Sequence, residues 1–262
     1  MSLVFKPRII ELILKQICNK HKLSFNIFAD GWIFEISNKH KTIFIWGYNF
    51  PINNATSSKI CDDKAGLAQI LLHHNVPCFV HEYFIRGNCT DKQLLTCFKK
   101  YKRDVVVKPN FGTTGFDTEH INDNESFLKH CHLILNKHGT LAISPFYDYC
   151  DEFRIVLYKQ KPYIVYKKQR APNNWKHNIG NGNKIIPIHD FNKHIDIINL
   201  AIKATKLIDI NFCSVDIAIV NNKPLIVEIN SGVMLEQYAK GNITQREQAY
   251  KLYELAILEL FS

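Results

Sequence analysis

Three groups of residues in this 262-residue chain have the types and spacing to do chemistry on a polyanion. The first is Val105-Val106-Val107-Lys108-Pro109-Asn110-Phe111-Gly112-Thr113-Thr114-Gly115, where a lysine ends an apolar run and a small glycine loop follows. Glycines let backbone N–H groups approach phosphate oxygens, and the ammonium supplies a point charge. The lysine precedes the glycines, so the segment is not a P-loop. A phosphate cradle and an ordinary hairpin turn both fit it. The second group is Asp216 with Glu228 and Asn230. The runs 214–220 and 225–230 alternate about a turn at Asn221-Asn222. In an antiparallel pair, 216 and 228 then fall nearly opposite each other, and Asn230 shares the face of Glu228. Two opposed carboxylates repel, and a hard divalent cation such as Mg²⁺ would resolve the repulsion. A solvated strand face is the plainer alternative, disfavoured by Ile217, Ile219, Ile226, Val227 and Ile229. The third group is basic: Arg154, then Lys167-Lys168-Gln169-Arg170, then Asn178-Ile179-Gly180-Asn181-Gly182. Cations on successive strands could focus positive potential on a phosphate, or simply form a solvated sheet edge.

Positioning these side chains takes a mixed set of elements. Apolar spacing predicts helices over 8–21, 65–74, 91–101, 125–137, 191–207 and 245–260, the second capped by Asp62 or Asp63 and stopped before Asn75-Val76-Pro77. β-rich runs predict strands at 23–28, 32–37, 42–46, 78–84, 105–107, 140–143, 152–159, 162–168, 214–220 and 224–229. Residues 49–59, 110–117 and 173–183 read as loops. The pattern is that of an α+β chain with much antiparallel character.

Composition excludes several classes. Hydrophobic residues make up 46% and charged residues 22%, with 9 Pro and 11 Gly, which is not the make-up of a disordered, collagen-like or coiled-coil chain. No apolar run is long enough to span a membrane, and the N-terminus does not read as a signal peptide. The net charge of +9 suits a polyanionic partner, nucleic acid or a phosphate-rich small molecule alike. The eight cysteines, at 18, 61, 78, 89, 97, 131, 150 and 213, form no CxxC pair and read as reduced cytoplasmic thiols. His130-Cys131-His132 lacks a second cluster to complete a metal shell.

Seven anchors in order make the sequence, over about residues 30–260, resemble the ATP-grasp superfamily. They are Asp63-Lys64 with LLHHNVP, Val107-Lys108-Pro109 with GTTG, Ser144-Pro145-Phe146-Tyr147, Asp151-Glu152-Phe153-Arg154, Lys176-His177-Asn178, Ser214-Val215-Asp216 and Glu228-Ile229-Asn230-Ser231-Gly232. Within the superfamily it is similar to ligases of the RimK, glutathione synthetase and cyanophycin synthetase type, and to the group described as α-L-glutamate ligases. The resemblance implies an ATP-grasp fold, with two β-sheet lobes clasping the nucleotide. It implies a short N-terminal α/β segment over 1–60 and an ATP-grasp domain over 61–262, with a mobile lid at about 102–143. It also implies an enzyme that joins a carboxylate to an amine through an acyl phosphate, using ATP and Mg²⁺, two ions, with Mn²⁺ an alternative.

By the same resemblance, Lys64 and Lys108 would contact ATP phosphates, and Gly112, Thr113, Thr114 and Gly115 would form the lid loop. Ser144, Pro145, Phe146 and Tyr147 would be the hinge that reads adenine, and Glu152 would take the ribose hydroxyls. Arg154 and Asn178, with Lys168 or Arg170, would hold the γ-phosphate and acyl phosphate. Asp216, Glu228 and Asn230 would bind the metal ions. Alanine at Asp216 or Glu228 should then abolish Mg-dependent ATP turnover and leave the fold intact.

The chain departs from the family's pattern in two places. Ser144-Pro145 stand where the family usually has Gln or Glu, so adenine recognition would rest on backbone groups. Only about sixty residues precede Asp63, where the family usually has a fuller substrate-binding domain. The acceptor site would then be open, completed by a partner subunit in a homodimer, or built from residues 231–250. Two further classes compete: an ATP-grasp phosphotransferase that makes no amide, and a basic nucleic-acid module using Tyr158, Tyr163 and Tyr166 among Lys159, Lys161 and Lys167. No membrane partner is expected, and a cytoplasmic location is.

Overall fold

The structure, a computed structural model, describes residues 7–112, 115–171, 175 and 183–262. The chain opens with helix α1 (Ile9–His21) and an antiparallel meander of β1 (Ser24–Phe28), β2 (Ile33–Ser37) and β3 (Thr42–Trp46). Helices α2 (Ala55–Asp62) and α3 (Lys64–His73) lead to a second unit. That unit holds β4 (Glu82–Ile85), α4 (Asp91–Lys100), β5 (Val105–Pro109), β6 (Glu119–Ile121), α5 (Asn124–His138) and β7 (Thr140–Pro145), with its sheet ordered β4-β7-β5-β6. The remaining strands are β8 (Asp151–Tyr158), β9 (Lys161–Gln169), β10 (Lys184–Ile188), β11 (Phe212–Val220) and β12 (Lys223–Asn230). They form an antiparallel sheet ordered β10-β9-β8-β11-β12, with α6 (Ile195–Leu207) against it. Helices α7 (Glu236–Ala239) and α8 (Ile243–Phe261) close the chain.

The period-2 alternation of β8 and β11 explains how this sheet is buried on both faces. Phe153, Ile155, Leu157, Cys213, Val215 and Ile217 pack with α3 and α6. Val156, Tyr158, Tyr166 and Phe212 pack on the other face with α1, α8 and the N-terminal meander. The meander therefore shares a core with the C-terminal helix. Glu236 ties the two further, because its carboxylate accepts from the free N–H groups of Ile9 and Ile10 at the start of α1 (2.9 and 3.0 Å). The β4–β7 unit has its own core, centred on Phe98, Val105, Val107, Phe127, Ile134 and Leu141.

The observed elements follow the expected pattern closely, with three differences. The expected loop at 49–59 contains the first half of α2. Its sequence, ATSSKICD, has almost no apolar stripe, and long-range and capping bonds hold it instead. Asn54 caps it through Ser57 N (2.8 Å), and Ser57 Oγ donates to Ile208 O (2.6 Å). The expected strand at 78–84 starts at Glu82. Lys184–Ile188, not foreseen, is an edge strand, which is where Pro187 is tolerated. Of the three tyrosines expected for a nucleic-acid module, Tyr158 and Tyr166 are buried and only Tyr163 is exposed, which leaves one ring and not a stacking platform on β8 and β9. No helix among the described residues is long and apolar enough to cross a membrane.

Candidate active site

The β4–β7 unit and the five-stranded sheet face each other across a cavity of about 1320 Å³. Each wall is built from the strand ends that the sequence singles out.

On the five-stranded sheet, one face of β8 carries Glu152 and Arg154 before it turns apolar at Val156 and Tyr158. Cross-strand register brings Arg154 opposite Asp216 and Glu152 opposite Lys168. The four groups close a network. Arg154 donates to both oxygens of Asp216 (2.7 and 2.6 Å), and Lys168 Nζ donates to Asp216 (2.8 Å) and Glu152 (2.5 Å). Tyr149 Oη donates to the second oxygen of Glu152 (2.8 Å). Burial alone would raise the Asp216 carboxyl, but Arg154 and Lys168 outweigh it and hold it well below the usual carboxylate range. Burial raises Glu152, with Lys168 opposing.

Asp216 pairs with Glu228; the turn at Asn221-Asn222 by itself would set Val227 there, and a bulge shifts the register by one. The bulge lies at Asp216/Ile217, so that Ile226 and Ile229 both reach the core on one side. Glu228 keeps 40% of its side chain exposed, against 2% for Asp216. Asn230 Nδ2 donates to Glu228 Oε1 (3.1 Å), and Arg154 Nη2 lies 3.9 Å from that oxygen. The expected repulsion between the two carboxylates is thus relieved at Asp216 by protein cations. An ionised carboxylate has about four acceptor positions, and three of those on Asp216 are taken. Glu228 and the carboxamide oxygen of Asn230 are the oxygens that this pair offers to the cavity.

The opposite wall centres on Lys108, at the end of β5. Burial and then neighbouring Lys64 push its ammonium down to about 8, against the pull of Glu228. Lys64 starts α3, and Asp63 caps that helix through Gly66 N (2.8 Å). A Cβ on Gly66 would stand 2.9 Å from Asp63 Cγ, so a glycine suits this capped turn. Asn110, fully buried, latches the glycine loop to the cap: its Nδ2 donates to Asp63 (2.8 Å) and its Oδ1 accepts from Ala65 N (3.0 Å). Lys64 Nζ donates to the carbonyls of Asn110 (3.3 Å) and Gly112 (2.7 Å). Asn110→Ala leaves these groups unpaired and is expected to cost about 1–3 kcal/mol, read as a lowered thermal midpoint.

At the far end, Ser144, Pro145, Phe146 and Tyr147 line the cavity with Val106 and Gly115. Tyr147 stacks on Phe79 (4.0 Å between centroids) and accepts from Val80 N (3.3 Å). Phe146 stacks on His120 (3.7 Å).

Most of the expected site residues therefore line one cavity: Lys64, Lys108, Gly112, Gly115, residues 144–147, Glu152, Arg154, Lys168, Asp216, Glu228 and Asn230. Arg170 does not join them; it pairs with Asp148 (3.1 Å), outside the lining. Of the two cations offered for that role, Lys168 is the one at the cavity. Thr113, Thr114 and Asn178 lie outside the described residues. Sequence reasoning missed Asn110, His81, Phe79 and Tyr149 as site residues. The buried imidazole of His81 is kept well below its ordinary pKa by burial and then by Lys108. Only Asn110 carried a signal, its place between Lys108 and the glycines.

Among solved structures, D-alanine–D-alanine ligase from Bacillus anthracis matches with a TM-score of 0.60 and 15% identity, over 80% of this chain and 72% of that one. D-cycloserine synthetase matches with a TM-score of 0.62 and 16% identity, over 78% and 71%. The bifunctional glutathione synthetase from Pasteurella multocida matches with a TM-score of 0.56 and 13% identity; 95% of this chain covers 44% of that one. At these identities the likeness is one of fold. No curated protein matches the chain. The sequence signature of the RimK-like ATP-grasp domain matches residues 61–252. With that match across most of its length and the ATP-grasp fold around its cavity, the chain belongs to the RimK-like ATP-grasp family.

Proposed function

We propose that the protein is an ATP-dependent ligase that joins a carboxylate to an amine, releasing ADP and phosphate. The observation that carries this reading is the meeting of Lys64, Lys108, Glu228 and Asn230 in one cavity, with an aromatic-walled slot at its other end, in an ATP-grasp protein. Adenine lies in the slot beside Val106, Phe79 and Tyr147, read by the backbone of residues 144–147. The phosphates run toward Lys108 and Lys64. A substrate carboxylate attacks the γ-phosphoryl group to give an acyl phosphate and ADP, and an amine then displaces phosphate to leave the amide. The protein's part is positioning and electrostatics.

Glu228 and Asn230 would hold Mg²⁺ together with phosphate oxygens, and the ion, when bound, neutralises charge on the transferred group. No group of three or more His, Cys, Asp or Glu among the described residues suits a metal ion. Mg²⁺ in such a site takes one or two carboxylates and completes its shell with phosphates and water. Asp216, with Arg154 and Lys168, sets the floor beneath the phosphoryl group. The unit of β4–β7 acts as the lid, its separate core letting it move as a body and exclude water from the acyl phosphate.

Lys108 gives a pH signature. Without ligand its ammonium titrates at about 8. A bound polyanion returns it toward the ordinary lysine value near 10.4. Between those values binding takes up a proton, so affinity falls as pH rises, by up to about tenfold per unit. Calorimetry in two buffers of different ionisation heat should find this uptake at pH 9 in the wild type and much less in Lys108→Met, where only Lys64, also lowered by burial, can contribute.

The ligase reading is tested by screening pairs of carboxylates and amines for stimulated ADP release, with mass spectrometry of products. Amide formed in step with ADP is expected. A stable phosphorylated product without amide would instead make the protein a phosphotransferase.

A further inference from the structure

Beyond the phosphoryl end, the cavity continues along the N-terminal meander, and nothing in the proposed nucleotide site uses that stretch. Trp32, Phe44, Trp46, Tyr48 and Met234 line it. Phe44 and Trp46 alternate with buried Ile43 and Ile45 on β3, so the strand turns one face to the core and an aromatic face outward. Trp46 is 58% exposed and Phe44 54%, an unusual cost for aromatic rings that meet water. Trp32 packs edge-on to both Trp46 (5.7 Å) and Tyr48 (6.2 Å), which fixes the wall's shape. The wall is joined directly to the site. Trp46 pairs with Asn49, and Ser231, the residue after Asn230, donates to Asn49 Oδ1 (3.0 Å). Val233 N donates to Tyr48 O (3.0 Å).

The charges around the cavity matter as much. Lys59 faces Asp62 of its own helix (3.5 Å), Lys64 is held by two carbonyls, and Arg154 and Lys168 hold Asp216. The one cation at the aromatic stretch among the described residues is Arg8, whose guanidinium lies over the rings of Trp32 (4.6 Å) and Tyr48 (5.0 Å) and donates to Gly31 O; its Nη1 is buried and the residue does not line the cavity, so it is spent on the wall's own rings and not on a side-chain carboxylate.

We propose that this wall is the side-chain subsite of the second substrate, and that it selects a large apolar group, aromatic or branched aliphatic, over an acidic one. The inference rests on the ligase reading and narrows its substrate class away from glutamate. The edge position of β3 leaves the wall open to a group entering from outside.

The test is calorimetry with the Mg²⁺ complex of a non-hydrolysable ATP analogue bound first. Phenylalanine amide and N-acetylphenylalanine probe the amine and carboxylate arms, against glutamate amide and N-acetylglutamate. At least one phenylalanine probe should bind about tenfold or more tighter than its glutamate counterpart, and the double variant Phe44→Ala/Trp46→Ala should lose that tenfold. Affinity for the ATP analogue should not move, and the thermal midpoint should fall by no more than about 5 °C, the loss of the Trp32–Trp46 ring contact. Glutamate probes binding as tightly, or phenylalanine probes giving no heat at millimolar concentration while the nucleotide binds, would overturn the subsite. So would a dimer by light scattering that the double variant dissolves, because a second copy would then cover the wall. If the nucleotide itself fails to bind, the ligase reading falls instead.

Discussion

Asp216→Ala is expected to destabilise the protein by about 3–5 kcal/mol. The sequence alone suggests a purely functional loss with the fold intact, and the structure reverses that expectation. Asp216 is 1% exposed and takes three hydrogen bonds from Arg154 and Lys168. Removing it strands two cations in a buried sheet face, where an unpaired charge costs far more than a lost contact. For a chain of this size the loss corresponds to a fall of roughly 10 °C or more in the thermal midpoint. Its pH dependence has a definite sign. The folded Asp216 carboxyl lies below its unfolded value, so its contribution is whole above the ordinary carboxylate range near 4 and is lost as pH falls through the folded value. Replacing the charged set by apolar residues of similar volume should restore much of the stability, because a buried ion pair gains little over good packing. A midpoint for Asp216→Ala equal to that of the wild type would contradict the network.

Glu228→Ala should behave in the opposite way. The side chain is 40% exposed, bonded by Asn230, and 3.9 Å from Arg154. Its removal strands nothing buried, so stability should change by no more than about 0.5 kcal/mol. Mg-dependent ADP release should fall by about a hundredfold or more, the scale seen when a group facing developing charge is deleted. Steady-state assays at saturating Mg²⁺ check this, and full activity would remove Glu228 from the phosphoryl site. The pair of variants separates two carboxylates that look alike in sequence: one is held by buried cations, the other opens to the cavity where we propose the nucleotide binds.

Much of the fold was legible because its periodicities are strong. The alternation in Phe212–Val220 and Lys223–Asn230 with Asn221-Asn222 between them put 216 nearly opposite 228; the bulge at Asp216/Ile217, which the sequence did not signal, makes the pairing direct. An acidic cap on α3, Asp62 or Asp63, followed from the acidic pair ahead of an apolar helix, and the structure assigns it to Asp63. Helix α2 was hidden because its stability comes from Asn54 and from Ser57 bonding to Ile208, 151 residues away. Such bonds leave no local pattern.

The site was legible in its residue types but less so in their partners. Nothing in the sequence says that Arg154 and Lys168 spend their charge on Asp216, or that Glu152 is closed off by Lys168 and Tyr149. Those pairings depend on the register of β8 with β11 across a long connection, and of β8 with β9 across a short hairpin whose bulge at Val156/Leu157 shifts the pairing by one. Arg170 and Lys168 differ by two residues and share a strand direction, yet only one reaches the cavity, because Arg170 sits past the end of β9. The aromatic wall was invisible for a related reason. Phe44 and Trp46 look like ordinary strand residues until the core face of β3 is known.

The central claim is that Lys108 from one lobe and Glu228 from the other grip the phosphates of a single magnesium nucleotide. Titrating a Mg²⁺-bound, non-hydrolysable ATP analogue into the wild type and into Lys108→Met and Glu228→Ala tests it most directly. The account predicts one site per chain in the wild type, weakened about tenfold or more in both variants and by removing Mg²⁺. Binding of equal strength in all three proteins, or no heat in the wild type, would contradict it.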